Sequence, residues 1–123
     1  MTNTTDDWIA YWLAGKRWRR YVELELARLS LTFSQWLVLD CVATLLRETQ
    51  DAVSQLQVGQ RLELDKATIS LLMKRLDEQG RIDRAPAFPG PEYRIYLQAE
   101  GQRLAACGRV IVDRVSARMC DVP

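Results

Sequence analysis

Histidine is missing from the 123 residues of this sequence. Without it, the chain has no imidazole to act as a general base, a zinc ligand or the middle member of a Ser-His-Asp triad. Glycine-rich phosphate loops and paired-carboxylate motifs are missing as well. These absences argue against an enzyme and against a metal site, and we expect no cofactor.

Cysteine is scarce, and its three positions, Cys41, Cys107 and Cys120, include no Cys-x-x-Cys pair. Scattered thiols in odd number are typical of a reducing compartment, so we expect a cytoplasmic protein. Cys41 and Cys107 are expected to be small buried hydrophobic residues. Cys120, near the end of the last predicted helix, is the candidate for an exposed thiol.

Neither sign of charge dominates, since 17 basic residues stand against 16 acidic ones. Net charge therefore indicates no partner, although the basic residues include only 3 lysines and Arg is the better fork for phosphates and base edges. The N-terminal sequence MTNTTDDW does not have the pattern of a signal peptide. The longest apolar stretch, Trp36 to Leu46, is short and contains Asp40, so we expect no membrane span.

Capping residues and periodicity predict three helices in the first half of the chain. Asp6 or Asp7 can cap a first helix that runs to about Leu29, and Ser34 is the candidate cap of the second. After a turn, Ser54 can cap a short third helix.

The second half of the chain predicts a fourth helix, a hairpin and a last helix. Asp65 can cap the fourth helix, and Gly80 is the type of residue that follows a helix end. Strands are predicted at Ile82 to Ala85 and at Glu92 to Leu97, on either side of the turn PAFPGP. The last helix is predicted from Glu100 to about Met119.

This order of elements predicts a mainly α protein with a winged helix-turn-helix. Two short helices joined by a tight turn at Glu63–Leu64 are followed by one β-hairpin wing, and terminal helices flank the unit. We divide the chain into an N-terminal dimerisation helix at 1–31, a DNA-binding unit at 32–97 and a C-terminal dimerisation helix at 98–123. Gly59 inside the third helix is costly, which predicts close contact with another backbone.

The two terminal helices carry more apolar surface than a winged-helix core can cover. Trp8 and Trp12 in the first helix and Ile111 and Val115 in the last are examples. A contiguous apolar patch of this kind marks an interface, and twofold pairing is its commonest use, so we expect a homodimer.

The fourth predicted helix has two different faces. Four residues within about 100° of arc form a stripe that is expected to face the core: Ile69, Leu72, Met73 and Leu76. The opposite face and the N-terminal end carry the residues that would meet DNA: Lys66, Ala67, Thr68, Ser70, Leu71 and Lys74. The alternative is a solvated face, with Leu71 either meeting a thymine methyl group or standing as a scattered surface leucine.

Further DNA contacts are expected from residues on either side of this helix. Ser54 and Gln55, at the start of the third helix, are expected to meet the DNA backbone. Arg84 and Arg94 are expected to reach phosphates from the base of the wing, because its tip, Pro86–Pro91, carries no charge.

Three stretches of the sequence resemble the MarR family of winged-helix transcription regulators: LTFSQWLVL, LELDKATISLLMKRLDEQGRIDR and YLQAEG. The resemblance covers about Leu31 to Leu104 and implies a dimer, a pseudo-palindromic operator and, in many members, a ligand or oxidant that releases DNA. The sequence departs from the family at its uncharged wing tip, where relatives carry an acidic residue and an arginine. It departs again at Leu71, where arginine is frequent, and in the 22 residues that follow Gly101.

Aromatic and basic residues could also form a ligand site. The resemblance favours a crevice between the first helix and the DNA-binding unit, holding a small aromatic anion among these side chains: Trp8, Trp12, Arg17, Arg20 and Trp36. The alternative is that the tryptophans belong to the core or to a dimer interface. The basic run GKRWRRY would then be a solvated face that pairs with nearby acids.

The sequence therefore predicts a dimeric bacterial regulator, acting as a repressor, that reads double-stranded DNA. The alternative is a winged-helix protein–protein interaction module that no longer reads DNA, which the uncharged wing and Leu71 favour.

Overall fold

The computed structural model describes residues 7–87 and 92–120, with the side chain of Cys120 left out. Within these ranges the helices are α1 (Asp7–Leu26), α2 (Phe33–Thr49), α3 (Gln55–Leu62), α4 (Lys66–Glu78) and α5 (Ala99–Cys120). A short 3₁₀ turn at Ala27–Leu29 follows α1. The strands are β1 (Val53–Ser54), β2 (Ile82–Pro86) and β3 (Tyr93–Leu97). This is the predicted mainly α winged helix-turn-helix.

The cap of α2 is Thr32, and the prediction of Ser34 is wrong. The Thr32 hydroxyl accepts the backbone N–H of Gln35 at 3.1 Å, and the Gln35 side chain accepts the N–H of Thr32 at 3.2 Å. Such a reciprocal pair needs Glu or Gln three residues after the cap. Ser34 has Leu37 at that position, which cannot complete the pair.

The predicted caps of the two short helices are confirmed. Ser54 and Gln57 form the same reciprocal pair at the start of α3, with distances of 3.1 and 2.8 Å. At the start of α4, Asp65 accepts the backbone N–H of Thr68 at 2.7 Å. Gly80 follows α4 with a φ of 73°, the left-handed conformation that glycine adopts without a steric cost.

The predicted hairpin is present, but it belongs to a three-stranded antiparallel sheet in the order β1-β3-β2. In the register, Arg84 lies opposite Ile95, and Ser54 in β1 lies opposite Arg94 in β3. The additional strand is β1, which joins the start of α3 directly to the wing. Its two residues are too few to show an alternating pattern in the sequence, so the prediction missed it.

One hydrophobic core includes residues from α1, α2, α3, α4, α5 and all three strands. Among its fully buried side chains are Leu26, Leu39, Met73, Ile95 and Leu104. The three segments assigned from the sequence therefore share one core, and the wing and the helix-turn-helix pack on the same interior as the terminal helices.

Two glycines allow α5 to lie close to the rest of the chain. A Cβ at Gly101 would overlap the carbonyl oxygen of Arg81, and a Cβ at Gly108 would overlap the indole of Trp36. Gly59, where close contact was predicted, has its nearest neighbours at 3.6 Å from a built Cβ, an ordinary van der Waals distance. The tight approach lies in the last helix and not in the helix-turn-helix.

The predicted wing tip, Pro86–Pro91, lies mostly outside the described residues. Of the described helices, none alone is long and apolar enough to cross a membrane. The stretch Asp7–Leu29 and α2 together meet that requirement by length and composition only, with a bend of 82° between them. Much of α2 is buried in the core, which accounts for its apolar composition.

Candidate nucleic-acid interface

The two predicted faces of α4 differ in burial. Ile69, Met73 and Leu76 are buried in the core, and Leu72 is half-buried beside them. The side chains predicted to meet DNA point the other way: Lys66, Ala67, Thr68, Leu71 and Lys74 are exposed, and Ser70 is half-buried. Leu71 is 52% exposed, although a leucine gains nothing from contact with water.

The structure brings the start of α3, the first turns of α4 and the base of the wing around one cleft. Its volume is ≈ 630 Å³, and its walls include Gln55, Leu56, Lys66, Ser70, Arg84 and Tyr93. All of them except Ser70 lie within one helical turn of a helix start or in the wing strands. Leu56, 55% exposed at its edge, was not singled out from the sequence.

Arg84 lies inside this cleft with three partners from the chain. Its Nε donates to Gln55 Oε1 at 2.9 Å, and one terminal nitrogen donates to Ser70 Oγ at 3.2 Å. The guanidinium carbon lies 3.9 Å from the centre of the Tyr93 ring, a cation–π distance. Arg84 was predicted to reach a phosphate from the base of the wing, and the structure places its guanidinium against these three partners.

Arg94 has a different environment from Arg84. It is exposed on the outer face of β3, opposite Ser54 in the neighbouring strand. Within the described residues it makes no side-chain hydrogen bond and no ion pair. Its charge is therefore available to an external anion.

Ion pairs neutralise several arginines away from the cleft. Arg19 pairs with Glu23, Arg61 with Glu48, and Arg109 with Asp40. In the described chain no acidic side chain lies within ion-pair distance of Lys66 or Lys74. Neither lysine therefore makes an ion pair with a described residue, which leaves both charges available to phosphates.

Asp65 stays ionised at the start of α4. The backbone N–H of Thr68, followed by that residue's side chain, lowers the pKa of the Asp65 carboxyl below its usual value of 3.8. The carboxylate holds the N-terminal turn of the helix in shape. Lys66 and Thr68 therefore lie in a first turn of α4 whose conformation is fixed by the Asp65 cap.

The five residues predicted to hold an aromatic anion do not surround a common cavity among the described residues. Trp36 is only 5% exposed, and its indole N–H donates to the Ala105 carbonyl at 3.3 Å. Trp8 and Trp12 are 64% and 56% exposed, and Arg20 is exposed on the same helix. Arg17 alone of the five lines one of the larger cavities.

That cavity is a groove of ≈ 840 Å³ between α1 and α5, which the sequence did not indicate. Its walls include Tyr11, Leu13, Arg17, Tyr21, Leu24 and Met119. The two helices are joined by a 2.9 Å hydrogen bond from the Trp18 indole N–H to Ser116 Oγ. Val115, predicted to add to the free apolar surface, is buried between these helices, and Ile111 is half-buried.

The described cysteines agree in part with prediction. Cys41 is buried, and this burial raises the pKa of its thiol to about 11. Cys107 is half-buried, and the side chain of Cys120 lies outside the described residues. No three His, Cys, Asp or Glu side chains in the described ranges come together as a metal site requires.

Two short helices at a tight turn, backed by an antiparallel wing, define a winged helix-turn-helix protein. No protein-family model and no curated protein matches the sequence. Solved structures do match, and through them the chain has the fold of the MarR family of regulators, as its resemblance predicted. The structural neighbours of this chain are transcription regulators of that family, which are not enzymes.

A transcriptional regulator (MarR family) from Rhodococcus sp. RHA1 is 26% identical, with a TM-score of 0.78. The matched region covers 100% of this chain and 86% of the Rhodococcus chain. CouR from Rhodococcus jostii RHA1, bound to p-coumaroyl-CoA, is 25% identical, with a TM-score of 0.76 and coverage of 100% and 85%. The S. aureus MepR–DNA complex is 18% identical, with a TM-score of 0.76 and coverage of 93% and 80%.

Proposed function

We propose that this protein is a homodimeric transcription regulator that reads a pseudo-palindromic site in double-stranded DNA and acts as a repressor in the bacterial cytoplasm. The observation that carries the proposal is the exposed face of α4, where basic and small polar side chains have no acidic partner in the described chain. A regulator of the same fold from Rhodococcus and a DNA complex of MepR support this use of the fold.

The proposed DNA contacts fall into two kinds. Lys66, Lys74 and Arg94 neutralise phosphates, and Ser54 and Gln55 at the start of α3 donate to the DNA backbone. The side chains that read bases in the major groove are these: Ala67, Thr68, Ser70 and Leu71. Ala67 and Ser70 are small enough for α4 to approach the bases, and Leu71 packs against a thymine methyl group.

We assign the three segments of the chain to two tasks. Residues 32–97 form the DNA-binding unit, and residues 1–31 and 98–123 form the dimer contact. The support comes from α1, whose exposed apolar side chains lie along the groove shared with α5, including Tyr11, Leu13, Tyr21 and Leu24. A second copy that covers this groove would remove them from water.

A small aromatic anion is the proposed releasing ligand, and we place it in the groove between α1 and α5, where it competes with the second copy, rather than in the predicted tryptophan cluster. Arg17 and Arg118 supply positive charge beside aromatic walls from Tyr11 and Tyr21. The related CouR structure contains an aromatic acyl thioester of coenzyme A. p-Coumarate and p-coumaroyl-CoA are therefore the first probes, with coenzyme A alone as the control.

DNA binding is tested by selecting duplexes from a random pool and measuring affinity at several salt concentrations. We expect an enriched twofold motif and a log–log salt slope of about −0.9 for each phosphate contact. Lys66→Ala should weaken binding to all sequences alike, whereas Ser70→Ala should cost ~1–3 kcal/mol at one base position only. A dimer without salt-dependent binding to any duplex would rule the regulator out.

The second candidate is a protein-interaction module, and the exposed Leu56 at the cleft and the exposed Leu71 on α4 favour it. A protein-interaction module would have no affinity for duplex DNA. The exposed face of α4 would then be available to a protein partner.

The dimer is tested by sedimentation at micromolar concentration. Leu24→Glu, at a residue 60% exposed in the groove, should convert a dimer to a monomer without unfolding it. Val110→Glu is the matched control, since Val110 is 57% exposed on α5 but does not line the groove. A wild-type monomer at these concentrations would contradict the proposal.

A further inference from the structure

Arg84 links Gln55, Ser70 and Tyr93 in one arrangement of four residues, which we call the Arg84 clamp. Arg84 donates to Gln55 Oε1 at 2.9 Å and to Ser70 Oγ at 3.2 Å, and it stacks on Tyr93. The four residues come from β2, α3, α4 and β3. The clamp therefore fixes the wing against both helices of the helix-turn-helix.

The register of the sheet explains why Arg84 turns inward. Side chains two residues apart share a face, so Arg84 lies on the same face as the buried Ile82 and opposite the buried Ile95. Its side chain is half-buried between the sheet and the helices. Arg94 is one residue away from Ile95 in β3 and so points to the exposed face.

The direction of the two hydrogen bonds determines what Gln55 and Ser70 can still offer. A guanidinium only donates, so it occupies the amide oxygen of Gln55 and a lone pair of the Ser70 hydroxyl. Among the described residues, neither the Gln55 NH₂ group nor the Ser70 hydroxyl proton has an acceptor. Both side chains are left as hydrogen-bond donors.

We propose that Arg84 is a positioning residue for sequence reading, which holds Ser70 as a donor to a base and Gln55 as a donor to phosphate without neutralising a phosphate itself. This inference rests on the DNA-binding function proposed above. The position read by Ser70 then presents an acceptor, which is N7 or O6 of guanine, N7 of adenine or O4 of thymine. The amino groups of adenine and cytosine are disfavoured there.

The first test compares Arg84→Met with Arg94→Met on the duplex that the wild type prefers. Arg94 is the matched control, because it is a wing arginine that is exposed and has no described partner. Losing a phosphate contact lowers the salt slope by ~0.9 per protomer. We expect that loss for Arg94→Met and an unchanged slope for Arg84→Met.

The same variant should lose sequence preference. Single base-pair changes across the site identify the position at which Ser70→Ala no longer discriminates. A side chain–base contact provides a ~5- to 150-fold preference for one base pair over another. Arg84→Met should reduce this preference at the position that Ser70 reads. A lowered slope with discrimination intact would make Arg84 a phosphate contact and overturn the proposal.

Base analogues test the direction of the Ser70 hydrogen bond. A 7-deazapurine removes N7, 6-thioguanine replaces O6 and 4-thiothymine replaces O4. The analogue that alters the acceptor read by Ser70 should weaken the wild type at that position but not Ser70→Ala. If methylation of an exocyclic amino group is instead the only change that matters there, Ser70 is an acceptor and the proposal is wrong.

A last measurement separates this inference from the proposed function. In DNA-free protein, the unfolding free energies of Arg84→Met, Tyr93→Leu and the double variant should not be additive. Additive effects in a protein that binds DNA would overturn the clamp alone. Coupled effects in a protein that binds no duplex would overturn the proposed function and, with it, the reading role of Arg84.

Discussion

Leu71 offers a test of DNA binding that barely disturbs the fold. Its side chain is 52% exposed on α4, four residues after Ala67 and three before Lys74 on the same face. Leu71→Arg adds one positive charge there and leaves the buried Ile69 and Met73 unchanged. The new arginine lies one turn from Lys74, and such a like-charge pair costs only ~0.2–0.5 kcal/mol.

The size of the effect follows from counterion release. Each new phosphate contact steepens the log–log salt dependence by ~0.9, so a dimer with two new arginines gains ~1.8. Between about 50 and 200 mM salt, the gain in affinity over the wild type should therefore shrink ~12-fold. A protein that binds as a monomer would show only a ~3.5-fold change over the same range.

Fluorescence anisotropy with a labelled duplex of random sequence measures both slopes. Leu71→Gln is the matched control, since it is polar at the same site but adds no charge, and its slope should equal that of the wild type. If Leu71→Arg leaves the slope unchanged as well, α4 does not face the phosphates. On a selected site, both variants should also lose preference at the thymine that Leu71 is proposed to contact.

Three further predictions concern the folded state. In urea unfolding, Gly108→Ala should destabilise the protein by ~1–3 kcal/mol, because its Cβ would overlap the Trp36 indole. Gly15→Ala, in open space on α1, should stabilise the protein by ~0.5–1 kcal/mol. Effects of the same sign would refute the packing argument. The lowered pKa of Asp65 means that its ionised form contributes stability above the usual value of 3.8, and that this contribution is lost as pH falls through the folded-state pKa. The stability difference between wild type and Asp65→Asn, a neutral cap, should therefore shrink in acid-titration unfolding curves; a constant difference would contradict the ionised cap. Because burial raises the pKa of the Cys41 thiol to about 11, iodoacetamide at pH 8 should modify Cys41 only after unfolding, as mass spectrometry of peptides would report; rapid labelling of the native protein would show that Cys41 is accessible.

The sequence was sufficient to predict the elements that carry strong local signals. Ser54 and Asp65 cap their helices as expected, and Gly80 has the left-handed conformation that its position demanded. The two faces of α4 could also be predicted, because the spacing of Ile69, Met73 and Leu76 repeats with the helical period. These features depend on residues less than a few turns apart.

Features that depend on distant partners were missed. One local feature was missed as well: Gln35, three residues after Thr32, completes the reciprocal bond and marks Thr32 rather than Ser34 as the cap. The strand β1 exists only because β3 lies beside it. The tryptophans were grouped by residue type, although Trp36 packs into the core and Trp8 lies exposed on α1.

The environment of Arg84 had a signal that the sequence analysis did not use. Ile82 is apolar at the start of the strand, and a period of two puts Arg84 on the same face as Ile82. That alternation already indicates an inward arginine. Its partners, Gln55 and Ser70, could not be identified in this way, because they come from two other elements.

The close approach of α5 to its neighbours has a mechanical consequence. Gly101 sets this helix against the Arg81 carbonyl before the wing, Gly108 sets it against Trp36, and Ser116 ties it to Trp18 on α1. Tightly packed interfaces change by switching between discrete arrangements more readily than by continuous deformation. A displacement of α5 is therefore passed to Arg81 before the wing, to Trp36 in α2 and to Trp18 in α1 together. In the dimer proposed above, a signal received at α1 or α5 would therefore turn whole subunits rather than bend a hinge inside one.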